Sequence, residues 1–395
     1  MKALIVGGGI AGPVAALALR KAGIDSTVFE SHASTADGVG GVLMIAPNGL
    51  NALRIIGANG VVRAIGQPIR RMAMADGSGK RFGEFAGLPG LPDSLVMWRA
   101  DLNRVLHDLA VARGIRVEYG KRLVDVVESR TGISAQFTDG SSETADVLIG
   151  ADGIRSTVRT LIDSDAPGPQ YVGLLGFGGY AVDSGVEVQP DTMHFVFGKR
   201  AFLGYWMGPD GRILWFGNLP RRESMTMAQA RRVRASDWLQ ALRNAYADDI
   251  PGQDLLAHTS ADQLFVAGAG ETLPPVPHWY RGRMVLVGDA AHAPSSSSGQ
   301  GASLCVESAI QLARCLRDLP DVPAAFAAYE QLRRPRVEKV AADAAKTNSN
   351  KAAGPVAKAL MRVLMPVAMK TFLKPEKMFG ALHGYRIDWD EVVTA

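Results

Sequence analysis

ALIVGGGIAGPVAALALRKAGIDSTVFE, residues 3–30, decides the fold. Ala3–Val6 is an apolar run of strand length, and residues 13–22 repeat Val, Ala and Leu at helical spacing up to Arg20 and Lys21. Between them Gly7, Gly9 and Gly12 stand at G-x-G-x-x-G spacing, with Ile10 and Ala11 inside the turn. Gly7 permits a tight turn, Gly9 lets a pyrophosphate approach the backbone, and Gly12 lets the helix pack on the strand, its N-terminus facing the anion. Val28-Phe29 close a second strand. Glu30, 18 residues after Gly12, is then placed to accept hydrogen bonds from an adenosine ribose. This order predicts a Rossmann-like dinucleotide cradle.

Lys2 and the apolar stretch Ala3–Leu19 imitate a secretory leader, but the glycine spacing and Glu30 oppose that reading, so a cytoplasmic location is expected. The chain has 395 residues, 47% hydrophobic and 21% charged, enough for two domains around a sizeable core. The net charge of +4 gives nucleic-acid binding little support. Cys305 and Cys315 fall on one predicted helix about 15 Å apart along its axis, too far to bond each other. The seven histidines lack metal-binding spacing, so no metal is expected.

Residues 68–98 read as a small β-unit turning at Gly77-Ser78-Gly79. Arg99 stands just before a helix beginning at Leu102, where it could meet a phosphate. Ile115–Val127, Ile133–Phe137 and Asp146–Ile149 look like three strands. The last leads into a tight turn at Gly150–Gly153 that leaves the Asp152 carboxylate near the first glycine turn. From about 170 to 275 the chain alternates and is rich in aromatics, predicting an antiparallel sheet. Phe177, Tyr180, Phe195, Phe197, Tyr205, Trp206, Trp215 and Phe216 are expected on one face of it. A polar helix over residues 228–247 follows. In RGRMVLVGDAAHAPSSSSGQGASLCVESAIQLARCL, residues 281–316, Asp289 ends a strand and offers acceptors to a sugar or ribityl chain. Gly299, Gly301 and Ala302 open a helix whose N–H groups are free to face an acceptor.

Taken together, Gly7-Gly9-Gly12 with Glu30, Asp152-Gly153 and Gly288-Asp289 resemble the three fingerprints of the class A FAD-dependent aromatic monooxygenases, the p-hydroxybenzoate hydroxylase family, which includes tetracycline-inactivating and polyketide hydroxylases. The resemblance covers residues 1–335. It implies FAD as cofactor, with Glu30 on the adenosine ribose, Arg99 at the ribityl-phosphate region, Asp152 in a motif tied to FAD and NADPH, and Asp289 on the ribityl or pyrophosphate. It also implies NADPH or NADH and O2 as co-substrates, and a flavin C4a-hydroperoxide that passes oxygen to an aromatic or polycyclic small molecule. Ser303 and Glu307 depart from the family, where Asn and Asp are common. His292 is expected to be positional.

The fold class expected is therefore α/β (α+β): a FAD-binding Rossmann-like domain, an antiparallel-sheet substrate domain and C-terminal helices. The division runs 1–67, 99–169 and 276–335 for the FAD domain, 68–98 and 170–275 for the substrate domain, and 336–395 for the helical region. Tyr205, Trp206, Trp215 and Pro294 are the substrate-binding candidates. No catalytic residue is assigned, although Tyr205, His194 and Tyr180 are chemically able to act as a base. A same-fold oxidase or reductase, or a non-catalytic ligand-binding protein, remains the alternative. No transmembrane segment is expected, because Lys358, Arg362 and Lys370 interrupt the last apolar run, and the chain is expected to be a monomer or homodimer.

Overall fold

A computed structural model describes residues 1–34, 40–351 and 375–394. Its centre is a six-stranded sheet in the order β18 (Tyr280–Arg281), β19 (Met284–Leu286), β12 (Val147–Gly150), β1 (Lys2–Val6), β2 (Asp25–Phe29), β8 (Arg116–Glu118). From β19 to β8 neighbouring strands run parallel. Such strands are covered on both faces, which explains why β1 and β12 are apolar without alternation.

Helix α1 (Ala11–Lys21) buries every residue from Ala11 to Leu19. It packs on β2 and on α9 (Gly301–Asp318). A buried Leu or Val contributes about 1.5–3 kcal/mol, so this helix is held by its sides and its start is left to other duties. Helices α2 (Pro47–Ile55), α3 (Asn59–Ile65) and α4 (Arg99–Ala112) complete that layer, and α5 (Thr157–Ile162) follows β12.

The second layer is a seven-stranded sheet in the order β17 (Leu264–Thr272), β13 (Gln170–Ala181), β16 (Ile213–Pro220), β15 (Phe202–Met207), β14 (Thr192–Phe197), β5 (Arg71–Asp76), β6 (Arg81–Ala86). β5 and β6 extend it from the early part of the chain. β4 (Gln67–Ile69) and β7 (Ser94–Trp98) instead pair with β3 (Val42–Ile45) in a small sheet. Helices α6 (Met227–Arg232), α7 (Ala235–Tyr246) and α8 (Gly252–Ala257) cover the outer face. The remaining sheet is β9 (Leu123–Glu128), β10 (Ile133–Phe137) and β11 (Ser142–Ala145).

Three expectations are corrected. The run 115–127 is two strands, because Gly120 turns the chain at φ +71° and sends β8 and β9 into different sheets. The helix expected over 228–247 breaks at Val233-Arg234, both extended, where Arg234 pairs with Asp237 of the next turn. The aromatic residues occupy two faces. Tyr205, Trp215 and Phe177 pack toward α7, whereas Trp206, Tyr180, Phe195 and Phe216 pack toward β7 and Val42. Adjacent residues of a strand point to opposite sides, so Tyr205 and Trp206 cannot share one.

Helix α10 (Val322–Lys351) packs on α9, and α11 (Pro375–His383) leads into a tail tied to α9 by Arg314 and Arg317. The basic stretch containing Lys358, Arg362 and Lys370 lies outside the described residues. No described helix is long and apolar enough to cross a membrane.

Candidate functional site

The three glycines of the first turn do different work. A β-carbon on Gly7, at φ +108°, would lie 2.4 Å from the Ala151 carbonyl oxygen, and one on Gly12 would lie 2.0 Å from that of Gly7. On Gly9 it would meet no atom within 4 Å. Gly7 and Gly12 are therefore demanded by packing, while Gly9 leaves open space before α1. Ile10 is the N-cap of that helix and gives no side-chain bond, and no acid stands in its first turn. The orphan N–H groups of such a start suit a phosphate.

Glu30 closes one side. Its Oε2 accepts from the Gly8 N–H at 2.7 Å, and Oε1 accepts from the His32 N–H at 2.8 Å. Burial opposes its ionisation, but the bonds from His32 and Gly8 outweigh that and hold its pKa below the usual value.

A second uncapped start lies at α9. Gly299 adopts a left-handed φ of +60°, Gln300 gives no capping bond, and a β-carbon on Gly301 would meet no atom within 4 Å. Ala302 follows in the first turn, half-buried. Gly288 brings the two starts together, since a β-carbon there would lie 2.8 Å from Cys305 Sγ on α9 and 3.0 Å from Ala11 on α1. Asp289 is next to it, its pKa raised by burial against the opposing charge of Arg99. Arg99 is the first residue of α4, and one turn later Asn103 donates Nδ2–H to the Gly8 carbonyl at 2.8 Å. Through α4 the structure thus links the first turn, where Glu30 and Asn103 both bond Gly8, to Arg99 and Asp289, and Cys305 of α9 lies against Asp289.

Asp152 lies against the first glycine turn, as expected: a β-carbon on Gly7 would lie 2.9 Å from its Cα. Its Oδ1 accepts from Ser156 Oγ at 2.5 Å and its Oδ2 from the Thr157 and Val158 N–H groups at 2.7 and 3.1 Å, filling the start of α5. Both oxygens accept bonds from within the chain, as those of Glu30 do, and the carboxylate thereby caps the start of α5. Buried Arg159, from the same turn, donates to the carbonyls of Ile154 and Ala290 and so ties the segment at Asp152 to that at Asp289.

Ser303 and Glu307 are explained by their partners. Ser303 Oγ accepts the Ala46 N–H at 3.1 Å, fixing α2 against α9. Glu307, wholly buried, pairs with Arg333 and Arg336 at 2.8 Å and accepts from Asn48 Nδ2, which also donates to Gln300. His292 bonds Ser308 Oγ through Nε2; burial, assisted by Arg333, lowers its pKa to about 3, so its ring is neutral and structural.

Trp206, on the inner face of the large sheet, donates Nε1–H to Gln67. Pro294 is half-buried and follows Ala293, whose carbonyl ties that loop to Thr272 and Leu273. Tyr180 lies beside Trp98 on the same side as Trp206, with the Arg212 guanidinium 4.1 Å from its ring centre. Tyr205 and His194 stack on each other on the outer face, and Trp215 bonds Thr259 in the core there. The structure therefore places Trp206 on the inner face and Tyr205 and Trp215 on the outer one. Among the described residues no cluster of His, Cys, Asp or Glu could hold a metal ion.

The family model of the FAD binding domain matches residues 1–344. The chain is 30% identical over 353 residues to the FAD-dependent urate hydroxylase of Klebsiella pneumoniae, covering 88% of this chain and 89% of that one. It is 31% identical over 360 residues to the 3-amino-4-hydroxybenzoate 2-monooxygenase PtmB3 of Streptomyces platensis, covering 85% of each. The crystal structure of Klebsiella pneumoniae HpxO complexed with FAD and uric acid superposes with a TM-score of 0.84 at 26% identity, over 97% of this chain and 96% of that one. The open helix starts before Gly9 and Gly301 fit the phosphates and ring edge of FAD, and the chain belongs to the FAD-binding-domain family of flavin-dependent aromatic monooxygenases.

Proposed function

We propose that this chain hydroxylates a small, electron-rich aromatic compound, consuming one dioxygen and one reduced nicotinamide, NADPH or NADH. One oxygen atom enters the ring C–H bond as a hydroxyl; the other leaves as water with two electrons from the nicotinamide and one further proton. Bound FAD supplies the redox chemistry, taking electrons from the nicotinamide and activating dioxygen.

The chain's own residues bind and shield. Gly9 and Glu30 hold the adenosine end, Asp289 and Arg99 the middle, and the start of α9 favours negative charge in front of Gly301. Trp206, Phe195, Phe216 and Tyr180 form a water-poor wall suited to a flat ring. Tyr180 is the acid–base candidate on that wall. Burial raises its pKa, so it stays a phenol able to donate to a substrate oxygen. The supporting observation is the pair of uncapped helix starts that Gly288 brings together.

The test is turnover of the FAD-loaded protein with NADPH or NADH under labelled dioxygen, against urate, aminohydroxybenzoates and simple phenols. A product heavier by one labelled oxygen is expected. Substrate oxidation with no oxygen gained would move the assignment to an oxidase or reductase.

A further inference from the structure

The outer face of the large sheet carries a hollow of about 200 Å³ that the flavin chemistry does not use. Its floor is Ala73 and Ala75 of β5, its rim Arg81 and Glu187, and one wall the stacked pair His194 and Tyr205, whose ring centres are 4.7 Å apart and planes 12° apart. His194 is only 4% exposed, and its Nε2 has no hydrogen-bond partner. A buried ring nitrogen without a partner is costly, which marks a position for an incoming polar group.

We propose that this hollow binds a single-ring aromatic carboxylic acid. Its volume falls below the roughly 300–1,000 Å³ of sites for larger ligands, so one ring fills it. The flat floor and the stacked pair suit a planar body, and a ring substituent satisfies His194 Nε2. At the rim Arg81 approaches Glu84 only to 3.7 Å, leaving its guanidinium available for a carboxylate. Glu187 on the same rim selects against dianions. Burial, with help from Arg81, lowers the His194 pKa to about 4, so the imidazole meets the ligand uncharged.

The site is one backbone away from the wall of the proposed reaction. β14 gives His194 to the hollow and Met193 to the inner face, while β15 gives Tyr205 to the hollow and Trp206 to the inner face.

Fluorine NMR of 3-fluoro-5-hydroxybenzoate, whose hydroxyl can meet His194 Nε2, titrated with the FAD-loaded protein tests this. Broadening is expected with the wild type and with Trp206→Phe, none with Ala75→Leu, which fills the hollow, and about tenfold or more weaker binding with Arg81→Gln. Arg81 is on the surface, so that variant reads the site even should Ala75→Leu not fold. No broadening with the wild type, or binding that survives Arg81→Gln unchanged and is lost in Trp206→Phe, would overturn the proposal.

Discussion

Glu307 and Arg333 form an ion pair at 2.8 Å in which neither side chain is exposed. Asn48 and Arg336 complete the carboxylate's shell, so α2, α9 and α10 meet on one buried charge. The same carboxylate bonds Asn48, which bonds Gln300 at the opening of α9, so that helix start is braced from behind.

Replacing Glu307 by Ala leaves Arg333 buried and uncompensated, and a loss of about 3–5 kcal/mol is expected. Denaturant unfolding of the apoprotein measures it. A loss within experimental error of zero would mean that water reaches Arg333.

Stability should fall in mild acid. His292 titrates at about 3 in the folded chain against 6.5 when unfolded, because burial disfavours its charged form. The unfolded chain then binds the extra proton, so this contribution is complete above pH 6.5 and is lost as pH falls toward 3. His194 and His383, each lowered to about 4, act with the same sign. Unfolding curves between pH 7 and 4 should show a shallower pH slope for His292→Gln than for the wild type; identical slopes would contradict a neutral buried ring.

The two tryptophans should separate. Trp206→Phe keeps the inner face apolar but loses the bond to Gln67, and a raised KM is expected with flavin retained. Trp215→Phe loses the bond to Thr259 in the outer core, about 1 kcal/mol of stability, with KM unchanged. Steady-state kinetics and thermal melts distinguish them, and a shifted KM for Trp215→Phe would place that ring on the substrate.

Much of this was legible in the sequence because the glycine signals are local. Gly7 and Gly12 act on neighbours within a strand–turn–helix unit, and the positive φ at Gly7 follows from the turn itself. Asn103 and Arg159 were not legible as site residues, since their partners Gly8 and Ala290 lie 95 and 131 positions away. Asp152 was legible only in part: an Asp before a short helix reads equally well as a ligand group or a cap, and its bonds to Ser156 and the start of α5 show only once the helix is seen. The expectation of a single aromatic face was avoidable, because strand alternation alone forbids Tyr205 and Trp206 from facing the same way.

Glu30→Ala should weaken FAD binding by about 1–3 kcal/mol, through lost hydrogen bonds to the ribose and a loosened Gly8. Flavin fluorescence titration gives the value, and an unchanged affinity would remove Glu30 from the ribose.

Flavin stoichiometry tests the central claim, that FAD rests on the open starts of α1 and α9 and not on the capped start of α5. Gly9→Ala, Gly301→Ala and Asp152→Asn are compared by titrating each apoprotein with FAD. Both alanines enter space that no protein atom occupies, so they should fold as the wild type yet bind FAD about tenfold or more weakly. Asp152→Asn should lose stability and keep wild-type affinity, its cap being inside the chain. Full affinity in both alanine variants, with FAD lost from Asp152→Asn, would contradict the account.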